Sequence, residues 1–260
     1  MKKLPSSFFS PFLQIASFAL LIISTNAQDA THKEVEFESL DGLKITADVY
    51  APSDDQTKPF IILCHQAGWS RGEYREIAPK LNKLGFNCMA IDQRSGDTVN
   101  KINNQTAANA KAAKKSQDYV DAEQDIVAAV KYTKKNLSKG KLIIWGSSYS
   151  SALALRIASE HSDKVDGVLS FAPGEYFKSQ GKPANWITTS AKNIKCPVFI
   201  TSAKNEAGNW ANIYAAIPTE TKVKFLPTSK GNHGSRALWE EFRDSNQYWK
   251  ATKSFLAQFL

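Results

Sequence analysis

Apolar and polar positions alternate through residues 35–50 on both sides of Asp41-Gly42, which predicts a β-hairpin. Residues 60–64 and 86–91 are short continuous apolar runs, the pattern of strands buried on both faces. Between them, Ile77, Leu81 and Leu84 fall at helical spacing within residues 73–84, and Gly85 follows as a stop. A long helical pattern covers residues 117–137, with Val120, Ile126, Ala129, Val130 and Tyr132 as its apolar stripe. Residues 141–145 read as a strand and 150–159 as a helix. Residues 165–171, 197–201 and 223–226 read as three more strands, and 238–259 as a closing amphipathic helix. Strands alternating with helices imply parallel βαβ units with right-handed crossovers. The expected fold is α/β: a mostly parallel sheet of about seven to eight strands, helices on both faces, and an antiparallel hairpin first. Residues 28–260 then form one domain. Two irregular stretches interrupt the pattern, near 95–115 and 173–193. The first is polar and rich in Ala and Asn, so a mobile loop insertion is expected there.

The N-terminus has a different pattern. Met1-Lys2-Lys3 is a short basic head, the apolar run is strongest at residues 18–23, and Ser24-Thr25-Asn26-Ala27 ends it with small side chains. These are the three parts of a secretory signal, cut after Ala27, so residues 1–27 are expected to be a removable leader and the mature chain exported. The run is shorter than the ~20 residues an ordinary bilayer span needs. No stable membrane span is expected after the leader is removed.

Composition narrows the classes further. Of 260 residues, 42% are hydrophobic, enough for a large core and too many for a disordered or low-complexity chain. Lys and Arg number 33 against 25 Asp and Glu, a formal charge of +8, and two of those lysines lie in the leader. The rest are scattered and do not alternate with aromatics, which argues against nucleic acid as a partner. Cys64, Cys88 and Cys196 all fall in apolar runs, where burial as small hydrophobes is expected.

The chemistry concentrates where a strand meets a helix. Residues 141–145 lead into Gly146-Ser147-Ser148-Tyr149-Ser150-Ser151. A serine on such a turn has its hydroxyl pushed out at the carboxyl end of the sheet, and its neighbours must be small. Gly146, Ser150 and Ser151 meet that need around Ser148. Ser147 is the competing nucleophile, but it would put Tyr149 at a position that must be small. A nucleophilic serine needs a base, and the base needs an acid to orient it. Of four histidines, His233 sits between Asn232 and Gly234 in a loop after the last strand. For the acid, Glu206 follows strand 197–201, and Glu175, one strand earlier, is the alternative. The order Ser148, Glu206, His233 is nucleophile, acid, base.

With these residues in place, the chain resembles an α/β-hydrolase of the dienelactone-hydrolase-like group, over nearly all of the mature sequence. Ser148 matches the elbow nucleophile, Glu206 the position usually occupied by Asp, and His233-Gly234 the terminal His-Gly loop. Asp92-Gln93-Arg94-Ser95-Gly96 resembles a structural turn of the family. His65-Gln66-Ala67-Gly68 matches the His-Gly-x-x-Gly loop after the third strand, with Gln66 where Gly is usual. The resemblance implies an oxyanion hole made by the backbone N–H of Ala67 or Gln66 together with that of Tyr149. It also makes His65 a scaffold residue. Dienelactone hydrolases use a cysteine where this chain has Ser148, which argues against their substrate. The expected activity is a serine hydrolase acting on a small-molecule ester. Trp69, Tyr176 and Trp186 are candidate substrate-binding aromatics, and no metal or organic cofactor is implied. A peptidase or amidase on the same triad is the alternative, as is a non-catalytic binding protein on a hydrolase scaffold.

Overall fold

The computed structural model describes Met1 and residues 32–260; the expected leader and its cut at Ala27 lie outside the described residues. Its strands are β1 (Lys33–Glu38), β2 (Lys44–Tyr50), β3 (Phe60–Cys64), β4 (Asn87–Ile91), β5 (Thr98–Val99), β6 (Ile102–Asn103), β7 (Leu142–Ser147), β8 (Gly167–Phe171), β9 (Val198–Thr201) and β10 (Lys222–Phe225). The α-helices are α1 (Ile77–Lys83), α2 (Gln105–Ala112), α3 (Glu123–Asn136), α4 (Tyr149–Glu160), α5 (Trp186–Ala191), α6 (Ala207–Ala216) and α7 (Ser245–Leu256).

Eight strands form one sheet in the order β1-β2-β4-β3-β7-β8-β9-β10. The pairs β1/β2 and β2/β4 are antiparallel; from β4 to β10 every pair is parallel. Period-two alternation divides the core between the two faces. Phe60, Ile62 and Cys64 of β3 join the cluster that packs under α3 to α6, while Ile61 and Leu63 join the one under α1 and α7. Both faces of β3 are therefore covered, as its unbroken apolar run requires. All three cysteines are buried and free. Among the described residues, no helix is long and apolar enough to cross a membrane.

Two buried ion clusters fix the loops at the carboxyl edge of the sheet. Arg94 pairs with Asp125 at 2.7 Å and with Asp41 at 3.0 Å. Arg71 pairs with Asp92 at 2.6 Å, Asp48 at 3.0 Å and Glu34 at 2.7 Å. The turn Asp92–Gly96 is thus structural, as its resemblance implied.

The structure departs from the pattern in three places. Residues 95–115 do not form an irregular loop: they fold as the β5–β6 hairpin followed by α2. Asn104 caps α2 by accepting the Ala107 N–H at 2.8 Å, and its amide donates to the carbonyls of Gln93 at 2.9 Å and Trp69 at 3.0 Å. Residues 173–193 contain α5. The closing amphipathic segment is split: a 3-10 turn covers Ser235–Leu238, and α7 begins only at Ser245.

Candidate active site

The parallel strands end together, and the loops that leave their carboxyl ends carry the candidate chemistry. After β3 come residues 65–70, after β7 Ser148, after β8 residues 172–177, after β9 Glu206, and after β10 His233. Ligands in open α/β sheets bind at this edge.

Ser148 stands between β7 and α4 at φ 58° and ψ −123°. A side chain there costs on the order of 1–3 kcal/mol and persists only where its surroundings over-determine it. The determinants are visible. The Ser148 N–H donates to Phe171 O at 2.8 Å, and its own carbonyl accepts the Ser151 N–H at 2.9 Å and the Ser151 hydroxyl at 2.6 Å. A Cβ on Gly146 would lie 2.3 Å from Ser150 O, so only glycine fits before the turn. Ser150 turns its hydroxyl under the loop after β3 and donates to His65 O at 2.5 Å. Ser148 remains 9% exposed at the head of α4.

The base and acid candidates meet directly. His233 Nδ1 lies 2.6 Å from Glu206 Oε1, while Glu206 Oε2 accepts the Ala203 N–H at 3.1 Å. The two loops are joined again by the Lys204 N–H donating to Lys230 O at 2.8 Å. With Nδ1–H donating to the carboxylate, Nε2 is left as the basic nitrogen. Among the described residues, Ser148 makes no hydrogen bond to His233; the Tyr176 hydroxyl adjoins it. The Tyr176 hydroxyl donates to Ala172 O at 2.7 Å. Burial, then the charge of Glu206, push that hydroxyl up to about 12, and a contact with Ser148 opposes the rise. Glu175 is spent elsewhere: its two oxygens accept the Ile187 and Thr188 N–H groups at 2.9 and 2.7 Å, capping α5.

The loop after β3 sets the amides of Gln66 and Ala67 in different surroundings. The Gln66 N–H donates to Glu73 Oε2 at 2.8 Å and is occupied. The Gln66 carbonyl accepts from His65 Nδ1 at 2.8 Å, and His65 Nε2 in turn accepts the Gln93 N–H at 3.0 Å. Burial pushes His65 down to about 4, so the ring is neutral and structural. Because that carbonyl is held by His65, the N–H of the same peptide unit, that of Ala67, points the opposite way. The Ala67 and Tyr149 N–H groups make no hydrogen bond among the described residues, and the Tyr149 amide is one of the unfilled donors that open a helix.

Of the three candidate aromatics, the structure brings two to this edge. Trp69 stacks on Trp239 with ring centroids 5.2 Å apart, and Tyr176 adjoins Ser148. Trp186 packs elsewhere: the Arg156 guanidinium lies 4.3 Å from its ring centre, and Phe177 meets it edge-on. Arg156 is eight residues along α4 from Ser148, about 12 Å at the helical rise.

A parallel sheet in this order, with a strained serine leading from strand to helix and a His–carboxylate pair on later loops, is the architecture of an α/β-hydrolase. Residues 55–199 match the serine aminopeptidase S33 family of hydrolases, and the chain belongs to that family. Among solved structures it is similar to an esterase from Pyrococcus furiosus, with 18% identity and a TM-score of 0.67 over 88% of this chain and 93% of that one. It is also similar to a dienelactone hydrolase from Anabaena variabilis, with 15% identity and a TM-score of 0.68 over 89% and 99% of the two chains. An acylaminoacyl peptidase resembles it at 16% identity and a TM-score of 0.63, over 88% of this chain and 41% of that one. No match is found among curated proteins.

Proposed function

We propose that the chain is an exported serine hydrolase that cleaves a carboxylic ester through Ser148, His233 and Glu206. The observation that carries this reading is the 2.6 Å contact between His233 Nδ1 and Glu206 Oε1, on loops beside a serine held at φ 58°. His233 Nε2 takes the Ser148 proton as Oγ attacks the acyl carbonyl. The N–H groups of Ala67 and Tyr149 receive the developing oxyanion; each such donor is worth about 3 kcal/mol in the transition state. His233 returns the proton to the leaving alcohol, Glu206 stabilises the imidazolium, and water attacking the acyl-enzyme releases the acid. Trp69 and Tyr176 line the approach. Cleavage of a peptide amide on the same residues is the second reading, favoured by the family's name and by the likeness to a peptidase. The ester reading leads because an alcohol leaves more easily than an amine.

A fluorophosphonate probe tests the nucleophile: the wild type is labelled and Ser148→Ala is not. Turnover of nitrophenyl esters against peptide nitroanilides then tests the substrate class. Labelling that persists in Ser148→Ala overturns the nucleophile, and faster turnover of the amides overturns the ester.

A further inference from the structure

One buried carboxylate at this edge has no part in the mechanism above. Glu73 lies in the 3-10 turn Arg71–Tyr74 and is fully buried. Among the described residues no lysine or arginine pairs with it, and His233 favours its charged form through charge. A buried carboxylate without a counter-ion is costly to a fold, so what it holds matters.

It holds three segments. Glu73 Oε2 accepts the Gln66 N–H at 2.8 Å, on the loop that carries Ala67. Glu73 Oε1 accepts the Ser147 hydroxyl at 2.7 Å, one residue before Ser148. Ser147 Oγ in turn accepts the Ser235 N–H at 2.9 Å, two residues after His233. The Ser235 hydroxyl is gripped from below by Trp145 Nε1 at 2.9 Å, and the Glu73 carbonyl by Trp239 Nε1 at 2.9 Å. Between them runs Gly234 at φ 70°, where a Cβ would sit 2.5 Å from Ser147 Oγ and 2.8 Å from Gln66 Oε1. The contacts are too close for any other residue.

We propose that Glu73 is a positioning residue: one carboxylate fixes the oxyanion loop, the elbow and, through Ser147, the histidine loop at a common point. The inference rests on the proposed roles of Ala67, Ser148 and His233. None of the three touches Glu73 by hydrogen bond: Ala67 and Ser148 each follow a residue that does, and His233 is two residues before Ser235, which reaches Glu73 through Ser147. Burial pushes the Glu73 carboxyl up to about 7, against the hydrogen bonds of Ser147 and Gln66 and the charge of His233. The protonated form keeps the junction. Ser147 can rotate its proton away from Oε1, whereas the Gln66 N–H cannot move from Oε2. Gln66 Oε1 is buried without a hydrogen-bond partner among the described residues. A glutamine at position 73 can copy this arrangement; a leucine of similar size cannot.

The experiment measures kcat and KM on a nitrophenyl ester, and amide hydrogen exchange, in wild type, Glu73→Leu, Glu73→Gln and Ser147→Ala. Glu73→Leu is expected to lower kcat by about 30-fold or more with KM within about threefold, since small displacements of reacting groups cost that much. Glu73→Gln is expected to recover to within about fivefold of wild type. Exchange at Gln66 and Ser235 is expected to rise at least ~10-fold in Glu73→Leu, and to stay near wild type in Glu73→Gln. Ser147→Ala, which removes only the link, is expected to raise exchange at Ser235 and not at Gln66, and it decides the matter if Glu73→Leu does not fold. The proposal is overturned if folded Glu73→Leu keeps wild-type kcat, if Glu73→Gln falls as far as Glu73→Leu, or if exchange at the two amides is unchanged in Ser147→Ala and Glu73→Leu alike. If Ser148→Ala keeps turnover, the functional reading falls instead, and the exchange data alone judge the anchor.

Discussion

His233 Nδ1 stands 2.6 Å from Glu206 Oε1, and the other oxygen of that carboxylate takes the Ala203 N–H at 3.1 Å. Glu206 is thus held on one side by the chain and on the other holds the ring. The alternative acid, Glu175, has both oxygens on the first amides of α5. The two glutamates should separate cleanly. Glu206→Gln is expected to lower kcat by about 10³–10⁴, the cost of losing the correct imidazole tautomer, with little change in melting temperature. Glu175→Gln is expected to cost about 1 kcal/mol of stability as a weakened helix cap and to leave kcat near wild type. Steady-state kinetics and urea melts on the two variants check this; the reverse ranking in kcat would transfer the acid's role to Glu175.

The adjacent serines make a second pair. Ser148 sits at φ 58° with its side chain at the opening, while Ser147 is fully buried and bonded to Glu73. Ser148→Ala is expected to lower turnover by several orders of magnitude, as removal of a nucleophile does in other triads. Ser147→Ala is expected to lower it by only about tenfold, because it loosens the loops and leaves the reacting atoms in place. Burst kinetics with a nitrophenyl ester distinguish the two: an acyl-enzyme burst survives in Ser147→Ala and not in Ser148→Ala.

Why the sequence reveals some of this and not the rest has a physical basis. The buried strands announce themselves because both faces are covered, so Phe60–Cys64 and Leu142–Ser147 carry unbroken apolar runs. The elbow is legible because a tight turn demands small residues at fixed offsets, as at Gly146. The α2 segment hides because its ordering comes from partners distant in sequence: Asn104 reaches Gln93 and Trp69, and Thr106 accepts the Thr46 N–H at 3.0 Å. Glu73 hides for the same reason. In sequence it is one acid beside Arg71 and Arg75; only the fold carries it to Gln66 and Ser147. Trp186 misleads in the other direction, since an aromatic on an irregular stretch reads alike whether it faces a substrate or Arg156.

The state of Glu73 sets a pH dependence with a definite sign. Its carboxyl titrates near 4.5 when free and is raised to about 7 by burial in the folded chain. Between those values the unfolded chain has released its proton and the folded chain keeps it. Stability from this group is therefore present below pH 4.5 and is lost as pH rises through about 7. The gap between the two values caps the loss at roughly 3 kcal/mol. Glu73→Gln cannot titrate, so its stability relative to wild type is expected to improve from pH 4.5 to about 7 and to level off by pH 8. Urea melts of both proteins across that range check it, because groups common to both cancel in the difference. A difference that is flat, or that favours the wild type as pH rises, contradicts a buried and partly protonated Glu73.

The last prediction concerns the rim formed by β5, β6 and α2. Asn104 is only 5% exposed and spends its side chain on three backbone groups of three different segments: Ala107, Gln93 and Trp69. The Asp92 carboxylate, already paired with Arg71, accepts the Gln105 N–H at 2.8 Å, and Arg71 also donates to Asn103 O at 3.2 Å. The rim is therefore bolted to the same buried ion cluster that holds the loop after β3. Asn104→Ala removes a helix cap, worth about 1 kcal/mol, and leaves the Gln93 carbonyl without its donor, about 1–3 kcal/mol more; the Trp69 carbonyl keeps the Asp97 N–H at 3.1 Å. A total loss of about 2–4 kcal/mol is expected, against less than about 0.5 kcal/mol for Lys111→Ala on the exposed face of α2. Limited proteolysis reads the same effect locally: cuts within residues 97–114 should appear in Asn104→Ala under conditions where the wild type resists. If Asn104→Ala matches the wild type in both melts and cleavage, the segment is held by the Arg71 cluster alone and Asn104 is dispensable to it.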